Sequence, residues 1–444
     1  MKKISLILAL VALVMASCKT AGNADKKTDN ASHEAYKIVK FENNPYMAEV
    51  RWGEDYDQAV TLEKVQTYLK KRAEEAEKAA AGGCTSFRKD QLHGRNIDWT
   101  MQPFVSLIIH MPKTDKVKYS SVSVIAGSPS MTKEVIDKNE FVPEDLRTTL
   151  PASVVDGINE KGVVINHNIV PYDKDRKPAY TQDGDIPSLM VCRYVLDNCG
   201  TAKEAIDSLQ AKKVSQSVVK VAGDYSHFMI SDPTETYVVE WVNDQFVYTK
   251  FENKDGKGEF ISEKGNPAIM TNFFVALGEK YGVGTPEFYK NHPYADGVER
   301  FDTVKAQLPK AKTVDDFMNI CKSVWYKKFC EGKTNWLTEN AGVLYSYDDA
   351  TGKAFWCEGR DKDGKPINQH MMDNDDVYAA AKAAFASDFQ KNYYKEFLAN
   401  WNEPKAGNTY WFTQHSVVYD IKNLKAYIIV QEGHDNPEMY EFGI

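Results

Sequence analysis

The chain has little of what would mark a metalloprotein, a nucleic-acid binder or a polytopic membrane protein. Its seven cysteines among 444 residues include no CxxC pair, so the clustered thiolates of a structural zinc site are missing. Positive charge is not in excess either: phosphate binding needs a basic face, and a net charge of -8 argues against a nucleic-acid partner. Only one long apolar run exists, Ile4 to Met15, and it is too short to span a bilayer comfortably. There is no internal repeat, and no cofactor or metal is called for. A histidine in a recognisable catalytic setting is lacking too. Of nine, His93 lies closest to the reactive stretch described below, while His110, His167 and His292 have no signature around them.

What is present begins with an export signal. Lys2 and Lys3 precede the apolar run, and Ala16-Ser17-Cys18 closes it, so residues 1–17 read as a secretory signal peptide. A cysteine directly behind the small residues resembles a bacterial lipobox, with Cys18 lipidated and tying the protein to a membrane. The alternative is an ordinary signal with an incidental cysteine. Residues 18–33 carry no large apolar side chain and form a flexible tether. Lys19 instead of Asp behind Cys18 favours the outer membrane, with leaflet and face left open.

Composition bounds the remainder. At 43% hydrophobic and 12% aromatic the chain can build one large domain or two modest ones with a substantial core. Residues 34–83 change character: Val60, Leu62, Val65, Tyr68 and Leu69 recur at helical spacing, and the pattern over Val60–Ala81 stops at Gly82-Gly83. This is a helical propeptide, a small subunit, or simply an N-terminal helix packed on the domain. Cys192 and Cys199, about 10 Å apart if helical, lie beyond disulfide reach. With Cys321, Cys330 and Cys357 they are expected to be buried thiols.

After Gly83 the pattern turns to strands. Cys84–Phe87 and Leu92–Ile97 form a hairpin across Arg88-Lys89-Asp90-Gln91, which returns Arg95 and Asp98 to the neighbourhood of Cys84. Strand patterns recur up to Ser416–Asp420 and Lys425–Val430. Blocks of helix over Pro187–Asn198, Ala202–Gln210, Gly297–Gln307, Val314–Trp325 and Asp375–Asn400 separate them. Strand clusters separated by helices make residues 84–444 an α+β domain.

The chemistry concentrates at Cys84. A thiol attacks as its thiolate, and a guanidinium such as Arg95 favours that form. Asp98 can hold an amine or orient the arginine. If the Gly83-Cys84 bond is cut, the new α-amine, with a reference pKa near 8, puts a base on the same residue as the thiol. Gly83, lacking Cβ, suits the strained geometry of an acyl shift.

Cys84-Thr85-Ser86 followed by His93-Gly94-Arg95-Asn96-Ile97-Asp98 resembles the N-terminal-nucleophile (Ntn) linear amide hydrolases, the group of choloylglycine (bile salt) hydrolases, penicillin V acylases, acid ceramidase and N-acylethanolamine acid amidase. Gly157-Ile158-Asn159-Glu160-Lys161-Gly162, Met270-Thr271-Asn272, Glu299-Arg300-Phe301 and Val417-Val418-Tyr419-Asp420 extend the likeness. The resemblance implies a four-layer αββα Ntn-hydrolase sandwich, with Cys84 as nucleophile and its freed amine as base. It further implies that Arg95 and Asp98 poise the thiolate, Asn272 serves as oxyanion donor and Arg300 completes the charge network. Asn168 is the matching asparagine, although counting from Gly157 puts the family's position at Ile169. The Cys84–Arg95 interval is shorter than the family's, as a clipped hairpin would make it.

Taken singly, these residues have plainer readings. Asn272 could cap a helix, Arg300 could pair with Asp296 on an exposed helix face, Arg95 and Asp98 could be a structural ion pair, and Cys84 a buried thiol. Their joint order favours catalysis on a linear amide with a bulky apolar acyl group. Fatty N-acyl amides lead, with conjugated bile salts and penicillin V as alternatives. A lipid-anchored binding protein that never matures, and a papain-like protease, are the competitors. Whether copies of the chain form a homo-oligomer is left open.

Overall fold

The computed structural model describes residues 34–72, 84–100, 105–126, 131–171, 184–215, 224–242, 245–254, 256–291, 297–325, 327–331, 335–340, 343–348, 353–360, 362, 366–371, 408–430 and 438–444. In chain order the first elements are β1 (Ile38–Phe41), β2 (Asn44–Arg51), α1 (Gln58–Arg72), β3 (Cys84–Lys89), β4 (Leu92–Thr100), β5 (Ser106–Met111) and β6 (Ser121–Ile125). Two short helices, α2 (Lys133–Lys138) and α3 (Glu144–Arg147), lead into β7 (Val154–Asn159), β8 (Val164–Pro171) and β9 (Ile186–Pro187). Then come α4 (Val191–Asn198), α5 (Ala202–Ala211), β10 (Val214–Ser215), β11 (Asp224–Ser231), β12 (Glu235–Val242), β13 (Gln245–Glu252), β14 (Ile261–Ser262) and β15 (Ile269–Met270). A helical block follows: α6 (Val275–Tyr281), α7 (Pro286–Asn291), α8 (Val298–Gln307) and α9 (Val314–Ser323). The described chain closes with β16 (Lys327–Glu331), β17 (Asn335–Asn340), β18 (Val343–Asp348), β19 (Lys353–Arg360), β20 (Pro366–Met371), β21 (Asn408–Asp420), β22 (Lys425–Val430) and β23 (Tyr440–Gly443).

Two sheets carry the architecture. One has ten strands in the order β1-β2-β5-β6-β7-β8-β11-β12-β13-β14; the other has seven, β15-β3-β4-β21-β22-β23 with β16 added on β21. Apolar residues alternate along these strands, and the alternation decides which face packs where. Met47, Ile108, Val122, Val124, Ile158 and Val164 of the ten-stranded sheet meet Val417, Tyr419, Ala426, Ile428 and Val430 of the seven-stranded one. The opposite face of the larger sheet, with Leu107, Ile109, Ile165, Phe228 and Ile230, is covered by Val65 of α1, Val195 and Leu196 of α4 and Ile206 of α5. The opposite face of the smaller sheet, with Phe87, Val418 and Ile429, is covered by Val298, Phe301 and Val304 of α8 and Phe317 and Ile320 of α9. The order of layers is thus α-β-β-α, the arrangement that the family resemblance implies.

The leader segment is not wholly helical. Its helix runs over Gln58–Arg72, where Asp57 Oδ1 accepts the Ala59 N–H at 2.9 Å and starts the first turn, and residues 73–83 lie outside the described residues. Ahead of it, β2 pairs in parallel with β5 and β1 extends the sheet edge. Neither strand was expected, and both carry buried side chains such as Ile38, Ala48 and Val50. The long helix expected over Asp375–Asn400 and the tether with Cys18 also fall outside the described residues. Cys192, Cys199 and Cys321 are buried thiols in no disulfide.

Candidate active site

The hairpin that organises the site turns more tightly than the sequence suggested. β3 runs to Lys89 and β4 starts at Leu92, so only Asp90 and Gln91 form the turn, with Asp90 at φ 49°. The register pairs Cys84 with Ile97, Ser86 with Arg95 and Phe87 with Gly94. Opposed residues share a sheet face, so Cys84, Ser86, Arg95 and His93 point between the sheets while Thr85, Phe87 and Asp98 point toward the helices. Gly94 is required by its partner: a Cβ there would stand 2.4 Å from the Phe87 ring, which lies across the glycine.

Cys84 is held at both ends of its own residue. Its N–H donates to Asn272 Oδ1 at 2.8 Å, and its carbonyl accepts from Arg300 Nη1. Arg300 also donates to Thr85 Oγ1 at 3.1 Å and to Asn272 Oδ1 at 2.7 Å, and it lies 3.6 Å from Asp98 Oδ2. Thr413 Oγ1 donates to the other Asp98 oxygen at 2.6 Å. Arg300 is only 4% exposed, which rules out the exposed-helix reading of this residue. Its approach depends on Gly297, at φ 79°, where a Cβ would come within 2.6 Å of Arg300 Nη2.

Asn272 turns its oxygen, not its nitrogen, toward the backbone N–H of Cys84. Its oxygen receives two donors and its Nδ2 gives a 2.6 Å bond to Ile169 O, so the network fixes the amide orientation. In this rotamer Asn272 positions the Cys84 nitrogen, and one of the two Nδ2 hydrogens is committed to Ile169 O. The hydrogen bonds of Asn168 go to residues other than Cys84. It donates to Met270 O and Thr271 O at 3.2 and 3.3 Å, while its oxygen accepts from Ser86 Oγ at 3.3 Å. Gly83, at the bond expected to be cut, lies outside the described residues.

Arg95 is anchored by a residue that the sequence reading passed over. Its Nε lies 2.9 Å from Asp156 Oδ2, and its Nη2 donates to His167 O at 2.6 Å. Asp156 is fully buried and also takes His415 Nε2 at 2.9 Å and the Tyr419 hydroxyl. Burial alone would raise the Asp156 carboxyl, but His415, Arg95 and Tyr419 together hold it below the ordinary carboxylate range. A signal was available: one carboxylate inside the apolar run Val154–Ile158, directly before Gly157-Ile158-Asn159, has no place in a core unless it is paired.

In the uncut chain the Cys84 thiol is raised, not lowered. Burial pushes it up and outweighs Arg95, which draws it down; Asp98 adds to the rise through its charge and opposes it through a backbone hydrogen bond, while Arg300 also lowers it. His93 does share a sheet face with Arg95, yet it is no base for Cys84. Burial and the Arg88 charge bring it down to about 3. Its Nε2–H donates to Asn166 Oδ1 at 2.8 Å and its Nδ1 faces Ser231 Oγ at 3.0 Å. Among the described residues no hydrogen bond joins a histidine to Cys84, whose own nitrogen is a backbone amide in the uncut chain.

Residues 84–255 match the model of the linear amide C-N hydrolases, choloylglycine hydrolase family. The penicillin V acylase of Pectobacterium atrosepticum is 30% identical over 129 residues, covering 27% of this chain and 30% of its own length. The chain therefore spans about a third of that curated relative. Among solved structures, a penicillin V acylase from Agrobacterium tumefaciens aligns at 12% identity and a TM-score of 0.35, covering 83% of this chain and 80% of its own. A conjugated bile acid hydrolase variant from Clostridium perfringens aligns at 13% and 0.36, covering 81% and 97%. Over residues 84–255, which open on the candidate nucleophile itself, this chain matches the choloylglycine hydrolase family of linear amide C-N hydrolases, the resemblance that its motifs suggested.

Proposed function

We propose that the protein is an autoprocessing amidohydrolase whose amino-terminal Cys84 cleaves linear N-acyl amides. The observation that carries this reading is the grip on Cys84: its nitrogen on Asn272 and its carbonyl on Arg300, in a buried site with no histidine base among the described residues. In maturation the thiol adds to the Gly83 carbonyl carbon, the C–N bond breaks as the amine leaves, and water hydrolyses the resulting thioester. The freed α-amine keeps its partner Asn272 Oδ1. In turnover it takes the thiol proton, the thiolate attacks the acyl carbon, and the ammonium returns the proton to the departing amine. Water activated by the same amine then releases the acid. A cationic α-amine beside the sulfur also supplies the charge that Arg95 alone does not, since burial outweighs Arg95 in the uncut chain.

Fatty N-acyl amides, such as N-acylethanolamines or N-acyl amino acids, are the substrates we put first. Phenoxyacetyl amides follow, favoured by the 30% identity to a penicillin V acylase over 129 residues. Export as an outer-membrane lipoprotein through Cys18 completes the reading; among the described residues no helix is long and apolar enough to cross a membrane. A mass-spectrometric screen over N-oleoylethanolamine, N-oleoylglycine, glycocholate and penicillin V tests it, with Cys84→Ala as control. Release of free acid by wild type and none by the variant is expected. Equal release by both removes Cys84 from the mechanism.

A further inference from the structure

Three polar side chains that this reaction scheme leaves unused stand abreast on the inner face of the ten-stranded sheet. Asn168 of β8 is paired with His227 of β11, and Glu240 of β12 lies one step beyond the Phe228–Val239 pair, opposite His227. All three are completely buried. Each reaches across the sandwich to the same stretch, residues 270–276, from the end of β15 into the first turn of α6. Asn168 Nδ2 donates to the carbonyls of Met270 and Thr271, His227 Nε2 lies 2.9 Å from Thr271 O, and Glu240 accepts the Val275 and Ala276 N–H groups, each at 2.8 Å. His227 Nδ1 lies 3.1 Å from Glu240 Oε1.

Counting hydrogens fixes what His227 can do. Thr271 O can only accept, so Nε2 carries a hydrogen. Nδ1 faces Glu240 Oε1, which also accepts from Val275, so both ring nitrogens are engaged. Neither ring nitrogen has a free lone pair for base chemistry, and a flipped ring would leave a buried carbonyl and a buried carboxylate without their partner. The row behaves as a strut. Polar groups in the middle of a sandwich are costly unless every bond is made. Here five of the bonds run to residues 270–276, and at the centre of that path stands Asn272, which holds the Cys84 nitrogen.

We propose that Asn168, His227 and Glu240 form a positioning row that sets Asn272, and through it the nitrogen of Cys84. The proposal rests on the reading of Cys84 as the nucleophile. It moves Asn168 from the reacting groups to their support and adds two residues that no motif in the sequence announced.

The test is a double-mutant cycle on the full-length protein, with His227→Gln, Asn272→Ala and the pair together. It reads kcat and KM on the best amide of the panel above, Gly83-Cys84 scission by intact mass, and melting temperature. Misplacing Asn272 by about 1 Å is expected to lower kcat about 10²-fold in His227→Gln with KM kept within about twofold. In the Asn272→Ala background the same change should cost less than about threefold, because its effect passes through the missing side chain. Full additivity overturns the proposal, as does a lowered melting temperature with unchanged kcat. If His227→Gln does not fold, Glu240→Gln, which keeps an acceptor oxygen for Val275, takes its place in the cycle. An Asn272→Ala protein with wild-type scission and turnover sinks the parent assignment of Asn272. An impaired Asn272→Ala beside an unimpaired His227→Gln sinks the row alone.

Discussion

Replacing Asp156 by Asn tests whether Arg95 is held in place by charge. The carboxylate faces Arg95 Nε and His415 Nε2, both at 2.9 Å, and takes the Tyr419 hydroxyl on its other oxygen. An asparagine can keep its oxygen toward Arg95 and His415 and turn its amide to the Tyr419 oxygen, so shape survives and charge is lost. Charge-assisted bonds are about twice as strong as neutral ones, and a neutral bond contributes about 1 kcal/mol, so two such contacts predict a loss of about 2 kcal/mol. Asp156→Ala, which leaves Arg95 buried and unpaired, should cost about 3–5 kcal/mol. Urea unfolding at neutral pH measures both. The pH dependence has a definite sign. The folded Asp156 carboxyl lies below its ordinary value, so its contribution is complete above the unfolded pKa of about 3.9 and is lost as pH falls through the lower folded value. The gap between wild type and Asp156→Asn should therefore be constant above about pH 5 and close below about pH 4. An Asp156→Asn protein as stable as wild type at neutral pH, or a gap that widens in acid, refutes the reasoning.

Three further outcomes follow from the same contacts. Arg300→Lys, a single donor head in place of a planar fork that serves Cys84, Thr85 and Asn272, should cost about 3 kcal/mol of stability and slow Gly83-Cys84 scission in a time course of intact mass. His93→Gln should keep kcat within about tenfold, where a general base would cost 10²–10⁴-fold, because the buried ring serves Ser231 and Asn166. The buried Asp197 carboxyl is pushed up to about 6, first by burial and against the pull of Arg193. Its folded value exceeds the unfolded one, so its contribution is full below about pH 4 and is lost as pH rises through about 6; Asp197→Asn should flatten that part of the stability profile.

Much of the site was legible because strand alternation is a strict rule. Once Cys84 and Arg95 fall on two arms of one hairpin, pairing brings them together, and the motifs at Asn272 and Arg300 converge on the same residue in the fold. β7 escaped notice since its Val154–Asn159 run holds Asp156 and Gly157, which read as turn residues until their partners on β6, β8 and β21 are known. The leader strands were hidden in the same way. β2 earns its buried residues by joining β5 in parallel, a non-local pairing that no local pattern announces. The Asn168 assignment shows the converse limit: sequence order put it near the nucleophile, and only the packing of the two sheets shows its side chain bonded to Met270 and Thr271.

The leader's contacts also fix what scission should leave behind. Gln58 donates to Asp197 at 2.7 Å, and β2 is hydrogen-bonded along β5, so the cut leader should co-elute with the body under native conditions and part only in denaturant.

The most direct measurement is amino-terminal sequencing of the fully active protein. A terminus reading Cys84-Thr85-Ser86-Phe87, in molar proportion to active sites titrated by a thiol-directed acylating inhibitor, is the expected result. Full activity in a chain still continuous across Gly83 and Cys84 contradicts the account at its root.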